Sequence, residues 1–215
     1  MSERNQRLLT ALCGILGTLA LMCYFSAPFW LMPLPTPDAG MEKVVEFGKQ
    51  YHDIILWDTW LQQFGSILSV IFALSLVQLA GASMRFSGRL TLLVSGVVLA
   101  LSLAEGTFVL GALEAGHNGH PEAALTCFEL TYVFIHIFLL APSLFLVMGS
   151  ALYGTNLLPR IFSYLAIVLG ILFQILGVVG LFNAKALMAV IFVLIAQNIW
   201  NLAASMVLLV RKHQA

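Results

Sequence analysis

Asp58, Glu105, Glu129 and His136 are ionisable groups set inside long apolar runs of this chain. In the centre of a bilayer helix an ionised side chain costs on the order of 2.5–3.5 kcal/mol, less near the interface, so it persists only where something compensates it. No Lys or Arg lies inside those runs to pair with them. Either some of the carboxyls carry a proton or a cation binds among them.

Neighbouring polar residues fall on the same helical faces. Asp58, Gln62, Ser66 and Ser69 follow one another at i+4, i+4 and i+3, and Glu129, Tyr132 and His136 at i+3 and i+4. Ser95 and Ser102 accompany Glu105; Gln197, Asn198, Asn201 and Ser205 mark the last apolar run, with Gln174 in the run before it. A polar-lined cavity opening toward the outer face would gather Asp58, Gln62, Glu105, Glu129, Tyr132, His136, Asn198 and Asn201 as ligand-binding residues. For the uncharged members the alternative is interhelical hydrogen bonding, worth roughly 0.6 kcal/mol each.

Other chemistries find less support. Carboxylates with an imidazole suit a divalent cation, but the Glu-x-x-His pairs of dinuclear helical sites are missing from the apolar runs, Glu114-x-x-His117 falling beyond one of them, and His136 is the only histidine well inside a run. The metal content stays open. The segment Gly116-His117-Asn118-Gly119-His120 reads as a surface turn, not a metal site. There is no Gly-x-Ser-x-Gly elbow. Cys13 and Cys23 are ten residues apart on one helix, about 15 Å by helical rise, and cannot bond each other; with Cys127 they read as small apolar packers. Trp57 and Trp60 beside Asp58, Phe29 and Trp30, and Phe128 and Tyr132 beside Glu129 read as interfacial belts; a cage for an organic cation is the other reading.

What must position these groups is a membrane bundle. Of 215 residues 60% are apolar and 9% charged, against roughly 25% charged in a soluble domain. Ten Lys/Arg balance ten Asp/Glu, which leaves no basic field for nucleic acid. Apolar runs of spanning length fall at about 8–27, 54–80, 90–112, 126–152, 161–182 and 186–210. The expected fold is therefore all-α: one domain over 1–215, a polytopic transmembrane bundle of six helices. No small-x-small cleavage site follows the first run, so it is expected to stay as a span. Arg4, Arg7, Arg85, Arg89, Arg160, Arg211 and Lys212 fall on one side and Lys43, Lys49 and Lys185 on the other, which places both termini in the cytoplasm of what reads as a bacterial inner membrane.

Between the first two spans, Pro28, Pro33, Pro35 and Pro37 are expected to stop helix one and hold an extended path. Thr36 before Pro37 is a candidate N-cap. Met41, Val44, Val45, Gly48 and Tyr51 oppose Glu42, Lys43, Glu46 and Lys49, which predicts a short amphipathic outer helix, either a surface bridge or a lid. Gly14 and Gly17, Gly96 and Ala100, and Gly170 and Gly177 are candidate close-packing positions. Pro142 should release the carbonyl of Phe138 and kink the fourth span.

The segment Gly149-Ser-Ala-Leu-Tyr-Gly-Thr-Asn-Leu-Leu-Pro-Arg160, running into Ile161 to Gly170, resembles the Leu-Pro-Arg inner turn of a broad class of uncharacterised bacterial membrane proteins known only as a domain of unknown function. The resemblance covers about the last 80 residues and implies an architecture of six or seven helices, with no activity attached. Three functions stay open. They are binding or transport of a small cation or polar organic molecule, a metal-assisted intramembrane hydrolase acting on lipid, and a structural or accessory subunit. Membrane lipid is the expected surrounding, and association with a second copy is undecided. No inverted repeat is evident, which weighs against a standard secondary transporter.

Overall fold

A computed structural model describes residues 2–32, 35, 39–141 and 143–210, except for the side chains of 29, 30, 140 and 184–188. Eight helices form among the described residues: α1 Glu3–Trp30, α2 Met41–Gln50, α3 His52–Leu79, α4 Phe86–His117, α5 Pro121–Leu140, α6 Leu144–Leu152, α7 Arg160–Gly180 and α8 Ala184–Val210. Six segments are long and apolar enough to cross a bilayer: Glu3–Pro28, His52–Leu79, Phe86–His117, Pro121–Leu152, Arg160–Gly180 and Ala189–Val210. The protein is a six-span membrane bundle. An even number of crossings returns the end of α8 to the side where α1 begins, here called the terminal side, and leaves α2 on the opposite side. Arg4, Arg7, Arg85, Arg89 and Arg160 sort to the terminal side, and Lys43 and Lys49 to the α2 side. Arg211 and Lys212 lie outside the described residues.

The helix ends follow from local chemistry. Ser2 caps α1 through its hydroxyl, which accepts from the Asn5 amide at 3.4 Å. At the α4–α5 turn Gly119 takes φ 79°, and the His120 N–H reaches the Ala115 carbonyl at 2.8 Å, a Schellman closure that left-handed backbone makes possible. Pro121 then occupies the first turn of α5, where its missing N–H costs nothing. Pro159 is the N-cap of α7 and Arg160 its first residue.

Several expectations need correction. Pro28 does not stop α1, which continues to Trp30, because a proline so near a helix end removes only one ladder bond. α2 begins at Met41 with Gly40 as its N-cap; the Thr36–Pro37 cap, like Pro33, lies outside the described residues. Gly96 and Ala100 are exposed, and a Cβ on Gly96 would meet nothing, because α4 turns Thr91, Ser95, Ser102 and Gly106 inward instead.

The fourth span is broken, not kinked. Ala141 (ψ 145°) and Ser143 (ψ 120°) are extended and separate α5 from α6. A residue before proline is pushed out of the helical region, which accounts for Ala141; Pro142 itself lies outside the described residues. The break exposes backbone donors in a place without water. Gln174 of α7 answers this: its Oε1 accepts the Ser143 N–H at 3.1 Å. On either side of it Gly177 and Gly170 let the backbone approach, since a Cβ would strike the Leu139 carbonyl oxygen at the one and the Leu146 amide at the other. Gln174→Leu should therefore lower stability by about 1–3 kcal/mol, the cost of a buried donor left unpaired. A thermal melt of the detergent-purified variant checks this, and an unchanged midpoint would show that another group takes over the bond.

The largest core lies on the terminal side, where Phe72, Leu76, Phe145, Met148, Leu152, Trp200, Ala204 and Leu208 pack together. Trp200 donates Nε1–H to the Phe162 carbonyl at 2.9 Å, tying α8 to the start of α7. A smaller cluster of Ala27, Met32, Ile55 and Leu113, covered by Phe47 and Tyr51, closes the α2 side of α1, α3 and α4.

Candidate functional site

The polar stripe on α3 turns inward. Asp58 and Gln62 are both buried, and Gln62 donates from Nε2 to Oε2 of Glu105 on α4 at 2.9 Å. One turn further toward the terminal side the Ser66 and Ser102 hydroxyls meet at 2.9 Å. Gln63 reaches across to the Ser102 carbonyl at 3.0 Å. This crossing depends on Gly106, where a Cβ would collide with the Gln63 amide. The antiparallel pair α3–α4 is thus joined by a ladder of side-chain hydrogen bonds with a carboxyl at its α2-side end.

α1 supplies a third wall. Gly65 of α3 packs against Leu21, and Gly17 of α1 lies against Ser69, so the two antiparallel helices hold a register that sets Tyr24 opposite Gln62. By that register Tyr24 falls at the level of the Gln62–Glu105 bond. Pro28 has no N–H to give to the carbonyl four residues back, which is that of Tyr24, so α1 carries an unfilled acceptor at the same residue. Sequence reasoning missed Tyr24, since an aromatic near a span end reads as part of an interfacial belt. Pro28, four residues on, was the available signal.

Asp58 is the anomaly. It is only 7% exposed and takes part in no hydrogen bond or ion pair with the described residues. A carboxyl so nearly enclosed, with no protein donor, carries part of its desolvation cost uncompensated. Glu105, half-buried, has the single donor Gln62 among the described residues. Chemically, carboxyls on neighbouring helices at this depth can take up a proton or attract a cation.

The other expected site residues are placed elsewhere. Glu129 is exposed on α5 and has no bond to Asp58 or Glu105. Tyr132 donates its hydroxyl to the Pro35 carbonyl at 3.0 Å and so ties the α1–α2 connection to α5. His136 Nδ1 sits 2.7 Å from the Tyr132 carbonyl of its own helix. Asn198 donates to the Leu194 carbonyl at 2.9 Å, and Asn198 and Asn201 belong to α8, which packs on α1 and α7. Trp57 and Trp60 are exposed and edge-stacked on each other, turned to the bilayer side of α3 and not around Asp58. Among the described residues no three His, Cys, Asp or Glu side chains converge as metal ligands. A groove of about 830 Å³ between Met41, Glu42, Glu46, Lys49 and Pro121 lies open on the α2 side and contains none of the intramembrane carboxyls.

Removing Gln62 tests the ladder. Gln62→Leu leaves the Glu105 carboxyl without a donor and should weaken the α3–α4 pair by about 1.5–3 kcal/mol, as for a hydrogen bond to a charged group. The combination with Glu105→Leu should recover most of the loss, because removing both partners is far cheaper than removing one. Thermal melts of the single and double variants measure the coupling.

This fold and site define a multi-pass membrane protein with a buried carboxyl on α3 and a half-buried one on α4. No protein-family model matches the chain, and no curated protein or solved structure is significantly similar to it.

Proposed function

We propose that the protein binds a small cation, inorganic or organic, at Asp58 and Glu105 and passes it between that site and the α2 side of the membrane. We take this as the outer side, from the positive-inside bias of the Lys and Arg residues. The observation that carries the reading is Asp58, 7% exposed with no hydrogen bond to the described residues, one turn along α3 from the Gln62 that holds Glu105. A cation supplies the compensation that the protein withholds. It would be held by the carboxyls of α3 and α4, with the Tyr24 hydroxyl on the α1 side and Gln62 steadying Glu105.

Entry has a specific obstacle. Ile55 lies three residues from Asp58 and Val109 four from Glu105, each on the α2 side of its carboxyl. With Ala27, Met32 and Leu113 they belong to the apolar cluster beneath Phe47 and Tyr51. The site as described is closed on that side, and ligand exchange requires α2 and the residues under it to part.

The test is thermal unfolding of the detergent-purified protein in Na⁺, Li⁺, Mg²⁺, Ca²⁺, guanidinium or tetramethylammonium at constant ionic strength, with N-methylglucamine as the inert ion. A binding cation at a hundred times its Kd adds about 2.7 kcal/mol. We expect one class of cation to raise the midpoint and Asp58→Asn with Glu105→Gln to abolish the rise. A rise that persists in the double variant, or no response to any cation, contradicts the reading.

A further inference from the structure

Hydroxyls on these helices close as a rule on the carbonyl one turn back: Thr10 on Gln6, Thr91 on Ser87, Thr107 on Leu103, Thr131 on Cys127 and Ser205 on Asn201. Thr18, Ser69 and, apart from them on α4, Ser95 depart from the rule; the first two lie together. Their hydroxyl oxygens are buried with no hydrogen-bond partner among the described residues, and so is Oδ1 of Asn198, whose amide group donates to Leu194. Thr18 is 0% exposed and Asn198 3%. Apart from Ser95, three oxygens of this kind, each unpaired, would be a heavy cost for one region of a bundle.

They fall within about two turns of one another, half way along their helices. A Cβ on Gly14 would strike both Ser205 Oγ of α8 and the Phe72 ring of α3, so α1, α3 and α8 meet there. α1 runs antiparallel to both. One turn from Gly14 toward the α2 side come Thr18 on α1 and Asn201 on α8; Ser69 of α3 lies at the neighbouring Gly17, its Oγ 3.1 Å from where a Cβ would stand. Asn198 follows one turn further along α8. Toward the terminal side the level is closed by Phe72, Leu76, Met148 and Leu152, all fully buried.

No carboxylate reaches this level by register, and neutral oxygens alone do not offset the desolvation of a bare ion. They do match the two to four polar partners that hold an internal water. We propose that Thr18, Ser69 and Asn198 form a hydration site between α1, α3 and α8, holding ordered water half way across the membrane and walled off from the terminal side by the apolar core. It is a site distinct from the carboxyl pair and exists whether or not that pair binds a cation.

Radiolytic footprinting of the wild-type protein in detergent tests this directly, because a bound water yields hydroxyl radicals beside it however deep it lies. Phe72 has no solvent exposure yet borders the site at Gly14. We expect brief X-ray exposure to oxidise Phe72 while Leu76, one turn deeper and equally buried, stays unmodified. An unmodified Phe72 overturns the proposal. A second measurement reads the sign of a stability change: Thr18→Val with Asn198→Leu should lower the melting midpoint by several degrees and Thr18→Ser should not. A midpoint that rises or stays the same in the double variant means that the oxygens were unpartnered, and overturns it. Stabilisation of the wild type by Na⁺ or K⁺ over N-methylglucamine that is lost in Thr18→Val would replace water with a cation and overturn it as well.

Discussion

Asp58→Val is expected to make the protein more stable and to abolish its response to cations. Most substitutions of buried residues destabilise, so a gain is a demanding outcome. It follows from the environment of Asp58, a side chain 7% exposed with no hydrogen bond or ion pair to the described residues. Valine is close to aspartate in volume and leaves no polar atom to desolvate. The gain should be about 2 kcal/mol, somewhat below the cost of a charge at the bilayer centre because Asp58 lies nearer the α2 side. For a chain of this length that corresponds to a rise of roughly 4–8 °C in the melting midpoint. Residues kept at a cost in stability mark functional sites. A fall in the midpoint instead would mean that Asp58 holds the fold together through a bond to the protein.

Gly170→Val should be the most damaging single change in the bundle. A Cβ at this position would run into the amide nitrogen of Leu146 and come within 2.7 Å of its Cα and Cβ. Backbone cannot swing aside as a flexible side chain can, so α6 must move as a body. It has nine residues and one external tie at its start, the Ser143 N–H held by Gln174 one turn along α7 from Gly170. Moving α6 breaks that tie. Overpacking costs about 1–3 kcal/mol and a buried unpaired donor a similar amount, so a loss of roughly 3–5 kcal/mol is expected. The yield of monodisperse protein in detergent and its melting midpoint report it. A variant that purifies and melts like the wild type would mean that α6 is not seated on α7 in this way.

The architecture was legible because hydrophobic length and turn residues each act locally. The spans and the amphipathic α2 all follow from stretches of under thirty residues. The α3 stripe was legible for the same reason, since i+4 spacing fixes one face whatever lies opposite. Periodicity does not say what that face meets. Glu129, Tyr132 and His136 share a face by spacing, yet Tyr132 is taken up by the Pro35 carbonyl, His136 lies against its own helix, and Glu129 is exposed. The partners of Gln62 and Gln174 depended on how α3 meets α4 and how α7 meets the broken span, both set by where glycines admit neighbouring backbone. Tyr24 was hidden because its role comes from the α1–α3 register. The length of the break at 141–143 needed the same tertiary information: proline predicts a lost bond, but only a waiting acceptor such as Gln174 allows the helix to end there.

The most direct test of the account is an experimental density map of the protein in a lipid nanodisc, in the presence of whichever cation raises its melting midpoint most. The account predicts a non-protein feature between α1, α3 and α4, within ligand distance of the carboxyl oxygens of both Asp58 and Glu105. An Asp58 carboxyl bonded to a protein donor or turned toward the lipid headgroups, with nothing between it and Glu105, would contradict it.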